Sequence, residues 1–152
     1  FHEYGDALSR VISFACGTDN SVPLAGFGHS TGGSTWLDFL ARYPGQADQV
    51  DSIVFACPLI RPSAWALKNG AVGLIVRGPV DIPRIPLVSS GSIGNPEFRD
   101  FQIYGDPLYV SIFDPGWIRA LETWTHEVDT WTGLAWKGPL FIVQGGNDDV
   151  VE

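Results

Sequence analysis

The chain predicts an α/β fold built on a doubly wound parallel sheet, and three observations carry that expectation. Segments with helical apolar spacing alternate with short apolar runs of strand length along the first 57 residues. Between the first such run and the helix that follows it, the sequence concentrates glycine at Gly26, Gly28, Gly32 and Gly33, as a tight strand-to-helix turn requires. Near the other end, Gly138-Pro139 interrupts the chain just before a further apolar run at 140–144.

The elements follow in order. Tyr4, Ala7, Leu8, Val11, Ile12 and Phe14 recur at helical spacing over 3–14, and Gly17-Thr18-Asp19-Asn20 forms a turn cluster behind them. Residues 23–27 read as a strand leading into the glycine-rich turn. Trp36, Leu37, Phe39, Leu40 and Tyr43 then give a helix, stopped by Pro44-Gly45. Residues 50–57 read as a buried strand closed by Pro58. Trp117, Leu121, Trp124, Val128 and Trp131, spaced by four, three, four and three, form the inner stripe of a later helix with Asp114 as N-cap and Pro115 as its first residue. The run 140–144 is expected to be another buried strand. Residues 1–57 and 114–152 thus form one core, and 58–113 is read as a lid or cap inserted between its strands. Trp65 and the apolar stretches at 71–76 and 85–88 belong to that region or its edges, and 83–95 reads as a mobile loop.

The turn after the first strand reads Gly28-His29-Ser30-Thr31-Gly32, a G-x-S-x-G box. Taken alone, the box also fits a glycine-rich linker; its place between a strand and a helix favours a nucleophile turn. There Ser30 would be the nucleophile, and side chains at 28 and 32 would obstruct the turn. Gly33 extends the same allowance into the helix. The backbone N–H of Thr31, at the positive end of the helix, would help bind an oxyanion. After the last strand comes Gly145-Gly146-Asn147-Asp148-Asp149-Val150-Val151, where Asp148 is the candidate acid that orients a catalytic histidine. Asn147, Asp148 and Asp149 also fit ordinary turn formers.

With both motifs in view, the chain resembles the alpha/beta-hydrolases, specifically the lysophospholipase and monoacylglycerol lipase-like branch. The box of that branch, G-H-S-x-G-G, is matched by Gly28 to Gly33, and Gly145-x-x-Asp148-x-Val150-Val151 resembles its acid loop. Ile53-Val54-Phe55-Ala56-Cys57-Pro58 resembles the strand after the nucleophile helix. The family spacing makes Asp149 the lesser candidate. The resemblance implies a partial alpha/beta-hydrolase fold and a serine hydrolase that cleaves carboxylic esters of lipids through an acyl-enzyme, with a small acyl ester or lipid as partner. It implies no cofactor. A cytoplasmic setting or peripheral membrane contact is expected with it.

A triad also needs a histidine after the acid, and none follows Asp148 before Glu152. The expectation is therefore a piece of a longer enzyme, lacking the early strands, the second oxyanion donor, the last strand and the catalytic histidine, and inactive by itself. His29 adjoins the nucleophile but leaves a tight turn in another direction; His2 starts the first helix; His126 precedes the acid and breaks the family's order. Two rival readings stand beside the lipid esterase. One is a peptidase of the serine or prolyl aminopeptidase type, with Glu97, Asp100 or Asp106 as candidates to hold a substrate amine. The other is a catalytically silent hydrolase scaffold that binds a ligand or partner.

Composition bounds the rest. In 152 residues, 45% are hydrophobic and 17% charged, enough apolar content for a core. The net charge of -8, with no cluster of Lys or Arg, argues against nucleic acid. The two cysteines, Cys16 and Cys57, indicate neither a disulfide framework nor a zinc site, and Cys57 reads as a small core residue at a strand end. No metal is implied, since a serine triad needs none and the box lacks the G-K-[ST] of a phosphate loop.

Overall fold

A computed structural model describes residues 1–17, 22–63, 85–86, 94–109, 112–113, 115–148 and 150–151. The chain divides into two compact units, one of Phe1–Ser63 with Trp124–Glu152, the other of Ala64–Thr123. The Thr18-to-Asn20 turn, Trp65, the stretch 71–76, positions 87–93, the Asp114 cap and the rival acid Asp149 lie outside the described residues.

The first unit is built on a parallel sheet. Its strands β1 (Ala25–His29), β2 (Ser52–Ala56) and β5 (Leu140–Val143) lie in the order β1-β2-β5. The register runs from Ala25 opposite Ser52 to His29 opposite Ala56, and from Ile53 opposite Leu140 to Ala56 opposite Val143. Parallel neighbours need a crossover. Between β1 and β2 it is α2 (Thr31–Arg42), followed by the short helix α3 (Pro44–Ala47). Pro44 therefore both ends one helix and opens another, since its missing N–H costs nothing in a first turn.

Helix α1 (His2–Cys16) packs on α2. Its buried positions, Gly5, Ser9 and Ile12, fall on one stripe four and three residues apart. Ile12 joins Trp36, Phe39 and Leu40 of α2, Ile53 and Phe55 of β2, and Trp136 in the main apolar cluster. The indoles enter it with their N–H groups satisfied: Trp36 donates to the Phe27 carbonyl at 3.1 Å and Trp136 to that of Val50 at 3.0 Å.

A second node is polar. Asp38 of α2 is fully buried and accepts from His2 Nδ1 at 2.8 Å, Trp124 Nε1 at 3.1 Å and Arg42 at 3.1 Å. His2 Nε2 also faces Glu127 at 3.0 Å.

Two sequence expectations change here. The run at 140–144 does form a strand, but its four side chains are exposed, Phe141 at 64% and Val143 at 60%. Among the described residues it has one neighbour in the sheet, so an apolar run fixed its conformation without fixing its cover. The long late helix, Pro115–Val128, ends before Trp131. Trp131 leaves the expected helical stripe and instead meets Trp124 edge-on, with ring centroids 6.1 Å apart.

In the second unit, β3 (Ile85–Pro86) and β4 (Ile112–Phe113) pair antiparallel. The short helix α4 (Pro96–Asp100) is capped by Asn95, whose side chain accepts from the Phe98 N–H at 3.0 Å, and it runs on into a π-helical turn at Phe101–Gly105. The late helix, α5 in chain order, has its first turns in this unit and its last in the first unit.

Candidate active site

The G-x-S-x-G box occupies the turn between β1 and α2. Ser30 sits at the N-cap with φ 51 and ψ -119, a backbone conformation that costs a non-glycine residue about 1–3 kcal/mol. The turn is held from several sides. The Ser30 N–H donates to the Ala56 carbonyl at 3.1 Å, while the Ser30 carbonyl accepts from Gly33 at 2.9 Å and from Leu59 at 2.8 Å. A serine at an N-cap ordinarily uses its hydroxyl to cap the helix. Ser30 makes no such bond, so its hydroxyl is not committed to the helix it precedes.

Gly28 makes the turn sterically feasible. A Cβ there would lie 2.8 Å from the Gly32 carbonyl oxygen and 2.9 Å from the Gly33 nitrogen, closer than real contacts allow. Gly33 has a different reason, because a Cβ at that position would come within 2.5 Å of the Pro58 ring. Gly32 departs from expectation: a Cβ there meets nothing within 4 Å, so crowding does not require glycine at this position. Thr31 is the first residue of α2, and its N–H is among the four that a helix leaves without an internal partner.

Asp148 lies in the turn after β5, with its N–H on the Gly145 carbonyl at 3.2 Å. Its Oδ1 accepts from the N–H groups of Val150 and Val151 at 3.0 and 3.1 Å, and Oδ2 accepts from the Gln144 carboxamide at 3.0 Å. The bond from Val151, then that from Val150, holds the carboxyl below the usual carboxylate range, assisted by the Cys57 thiol and Gln144. A group so solvated by donors stays ionised at neutral pH.

The sheet brings the two candidates to one end of the first unit. The last rung runs His29, Ala56, Val143, and the next residues are Ser30, Cys57 and Gln144. Cys57 continues the ladder by donating its N–H to the Val143 carbonyl at 2.8 Å. Serine turn and acid loop therefore leave the carboxyl ends of strands on either side of β2, roughly 10 Å apart at two strand spacings. Open parallel sheets place their ligand crevices at that end.

Both ring nitrogens of His2 are engaged by Asp38 and Glu127, His29 is exposed at the end of β1, and His126 is exposed on the late helix. Among the described residues, no group of three or more His, Cys, Asp or Glu is placed to hold a metal.

Cys57 was the residue missed by the sequence reading. It is half-buried rather than a core residue and has φ 45. The expected strand, 50–57, included Cys57, whereas the observed strand ends one residue earlier at Ala56.

Comparison with known proteins bears on the family and the fold. The model of the Hydrolase_4 family, described as serine aminopeptidase, S33, matches residues 1–152. No curated protein matches the chain. A soluble variant of monoglyceride lipase from Saccharomyces cerevisiae, solved with a substrate analog, superposes with a TM-score of 0.73 at 18% identity, over 100% of this chain and 52% of that one. The monoacylglycerol lipase of Paleococcus ferrophilus gives 0.68 at 15% identity, over 93% of this chain and 52% of that one. The chain thus spans about half the length of these structures. With its parallel sheet and its serine turn at the sheet's carboxyl end, the chain belongs to the serine aminopeptidase S33 family and has the alpha/beta-hydrolase fold seen in monoglyceride lipases.

Proposed function

We propose that the chain is part of a serine hydrolase that cleaves carboxylic esters of lipids, a monoacylglycerol or lysophospholipid, through an acyl-enzyme. Ser30 is the nucleophile, the Thr31 N–H donates to the oxyanion, and Asp148 orients a histidine supplied from outside residues 1–152. Attack by the Ser30 Oγ on the ester carbonyl passes its proton to that histidine, which then protonates the departing alcohol; water completes the cycle by the same route in reverse. Residues 58–113 are assigned to the cap that receives the acyl chain, where each buried methylene is worth about 0.8 kcal/mol. The observation that carries the reading is Ser30 itself, held with φ 51 at a strand-to-helix turn and not used as a helix cap. The lipid substrate is supported by the two lipase folds.

A second reading, serine aminopeptidase chemistry, is favoured by the description of the matching family. Both use one nucleophile, so the substrate separates them. The full-length protein is assayed with acyl esters of several chain lengths beside aminopeptidase substrates. Ester turnover is expected, with Ser30→Ala lowering kcat by roughly a millionfold. Turnover that survives Ser30→Ala overturns the nucleophile, and turnover of aminopeptidase substrates alone overturns the lipid reading. A folded protein inactive on both sets supports a silent scaffold.

A further inference from the structure

We infer that Ser34 is a positioning residue: its buried hydroxyl, donated to the Leu59 carbonyl, braces the segment 57–63 that ties the nucleophile turn to the acid loop. The inference rests on the serine hydrolase reading and extends it to a residue outside the expected triad.

The direction of the hydroxyl is the first observation. A serine or threonine within a helix commonly returns its hydroxyl to the carbonyl four residues back, and Thr35 does so, donating to Thr31 at 3.0 Å. Ser34, fully buried beside it, donates out of α2 to the carbonyl of Leu59. The carbonyl four residues behind Ser34 is that of Ser30, and it accepts the N–H of the same Leu59 at 2.8 Å. Residue 59 is thus gripped through both backbone groups by residues 30 and 34, about one helical turn apart. Pro58, one position earlier, fills the space that a Cβ at Gly33 would need.

The other end of the segment reaches the acid loop. Ser63 donates its N–H to the Val150 carbonyl at 2.9 Å, and Pro62 forms an antiparallel bridge with Val151. Val150 and Val151 are the residues whose N–H groups hold Asp148 Oδ1. Midway, the fully buried Thr125 hydroxyl donates to the Ile60 carbonyl at 3.3 Å, and Arg61 pairs with Asp129. The sheet fixes where β1 and β5 end, and the segment makes a second connection between the loops that follow them. A histidine shared by Ser30 and Asp148 needs the separation of those loops held, because a small misplacement of reacting groups is costly in rate. Without the Ser34 hydroxyl the buried Leu59 carbonyl loses its donor, and the segment loosens against the turn.

The test uses the full-length protein with Ser34→Ala, which removes the donor, and Ser34→Thr, which keeps it. On whichever ester or aminopeptidase substrate the parent turns over, kcat should fall by about tenfold in the alanine variant with KM unchanged, and stay within about threefold in the threonine variant. Alanine within about twofold of the parent overturns the inference, as does an equal loss in both variants. Amide hydrogen exchange, resolved residue by residue by NMR, gives a readout independent of turnover. Leu59 and Ser63 should exchange about tenfold faster in Ser34→Ala while the β1–β2 ladder keeps its rates. Unchanged exchange at Leu59, or an equal acceleration throughout the ladder, assigns Ser34 to general stability and overturns the inference whatever the activity. Should Ser34→Ala not fold, Thr125→Val releases the same segment at Ile60, and unchanged exchange at Leu59 and Ser63 in that protein overturns the inference. A parent that turns over neither substrate class, with exchange at Leu59 and Ser63 still faster in Ser34→Ala, instead counts against the proposed function and leaves the brace established.

Discussion

At the scale of single residues, the chemistry depends on where a few polar atoms are held. Ser30 combines an uncommon backbone conformation with a hydroxyl not used for capping. Asp148 combines an ordinary turn with an unusual number of donors. Those donors predict how the acid responds to mutation. In Asp148→Asn the amide oxygen still accepts from Val150 and Val151, so the loop should persist and thermal unfolding change little. The charge that stabilises a histidinium is gone, and kcat in the full-length protein should fall by about 10⁴. Asp149→Asn is the control: if that variant abolishes turnover while Asp148→Asn leaves it intact, the acid has been misassigned. The sequence made Ser30 and Asp148 legible because both lie in motifs with defined spacing from a strand. It did not show that Cys57 takes a positive φ beside the serine turn, since that follows from how the strand ends against its neighbours rather than from local pattern.

At the scale of elements, α1 and α2 are joined by charge as well as by apolar packing. Asp6 accepts from the Tyr43 hydroxyl at 2.6 Å and from Arg42 at 2.7 Å. The Tyr43 hydrogen bond is the largest influence on the Asp6 carboxyl and, with the bond and charge of Arg42, holds it below its ordinary value against desolvation. A carboxyl depressed in the folded state adds stability that is fully present above its unfolded pKa and is lost as pH falls through the folded one. Between pH 7 and 5 this group should leave stability unchanged. Below about pH 4 the parent protein should lose melting temperature more steeply than Asp6→Asn, read by circular dichroism melts down to pH 2.5. Parallel slopes in the two proteins would remove the Asp6 contribution. Helical spacing made both helices legible, and their observed limits, His2–Cys16 and Thr31–Arg42, cover the expected residues except Tyr43, which is the C-cap of the second. Where spacing failed, at Trp131, the cause was the helix end at Val128; apolar residues at three- and four-residue intervals continue past it without a helix to carry them.

At the scale of the whole molecule, Asp38 is the point where elements distant in sequence meet. A buried carboxylate on α2 accepts from His2 of α1, from Trp124 of the late helix and from Arg42 one turn away. In Asp38→Leu the buried indole N–H loses its acceptor, as does the His2 ring, and Arg42 loses one of its anionic partners, which should destabilise the protein by about 3 kcal/mol. A drop in melting temperature too small for 1 kcal/mol would show that the node contributes little. Nothing in the sequence singled out Asp38, because a carboxylate on a helix pattern reads as a solvated face until its partners arrive from positions 2 and 124. The sequence by itself determined the alternation of helix and strand, the serine turn between strand and helix and the aspartate turn after the last strand, since these follow from periodicity, glycine placement and spacing within about ten residues. Only the tertiary structure decided that β2 lies between Ser30 and Asp148, that Gly32 is uncrowded and that β5 is exposed. Each of those depends on which chain segments become neighbours across the sheet, and that adjacency is set by packing the whole chain rather than by any local pattern within it.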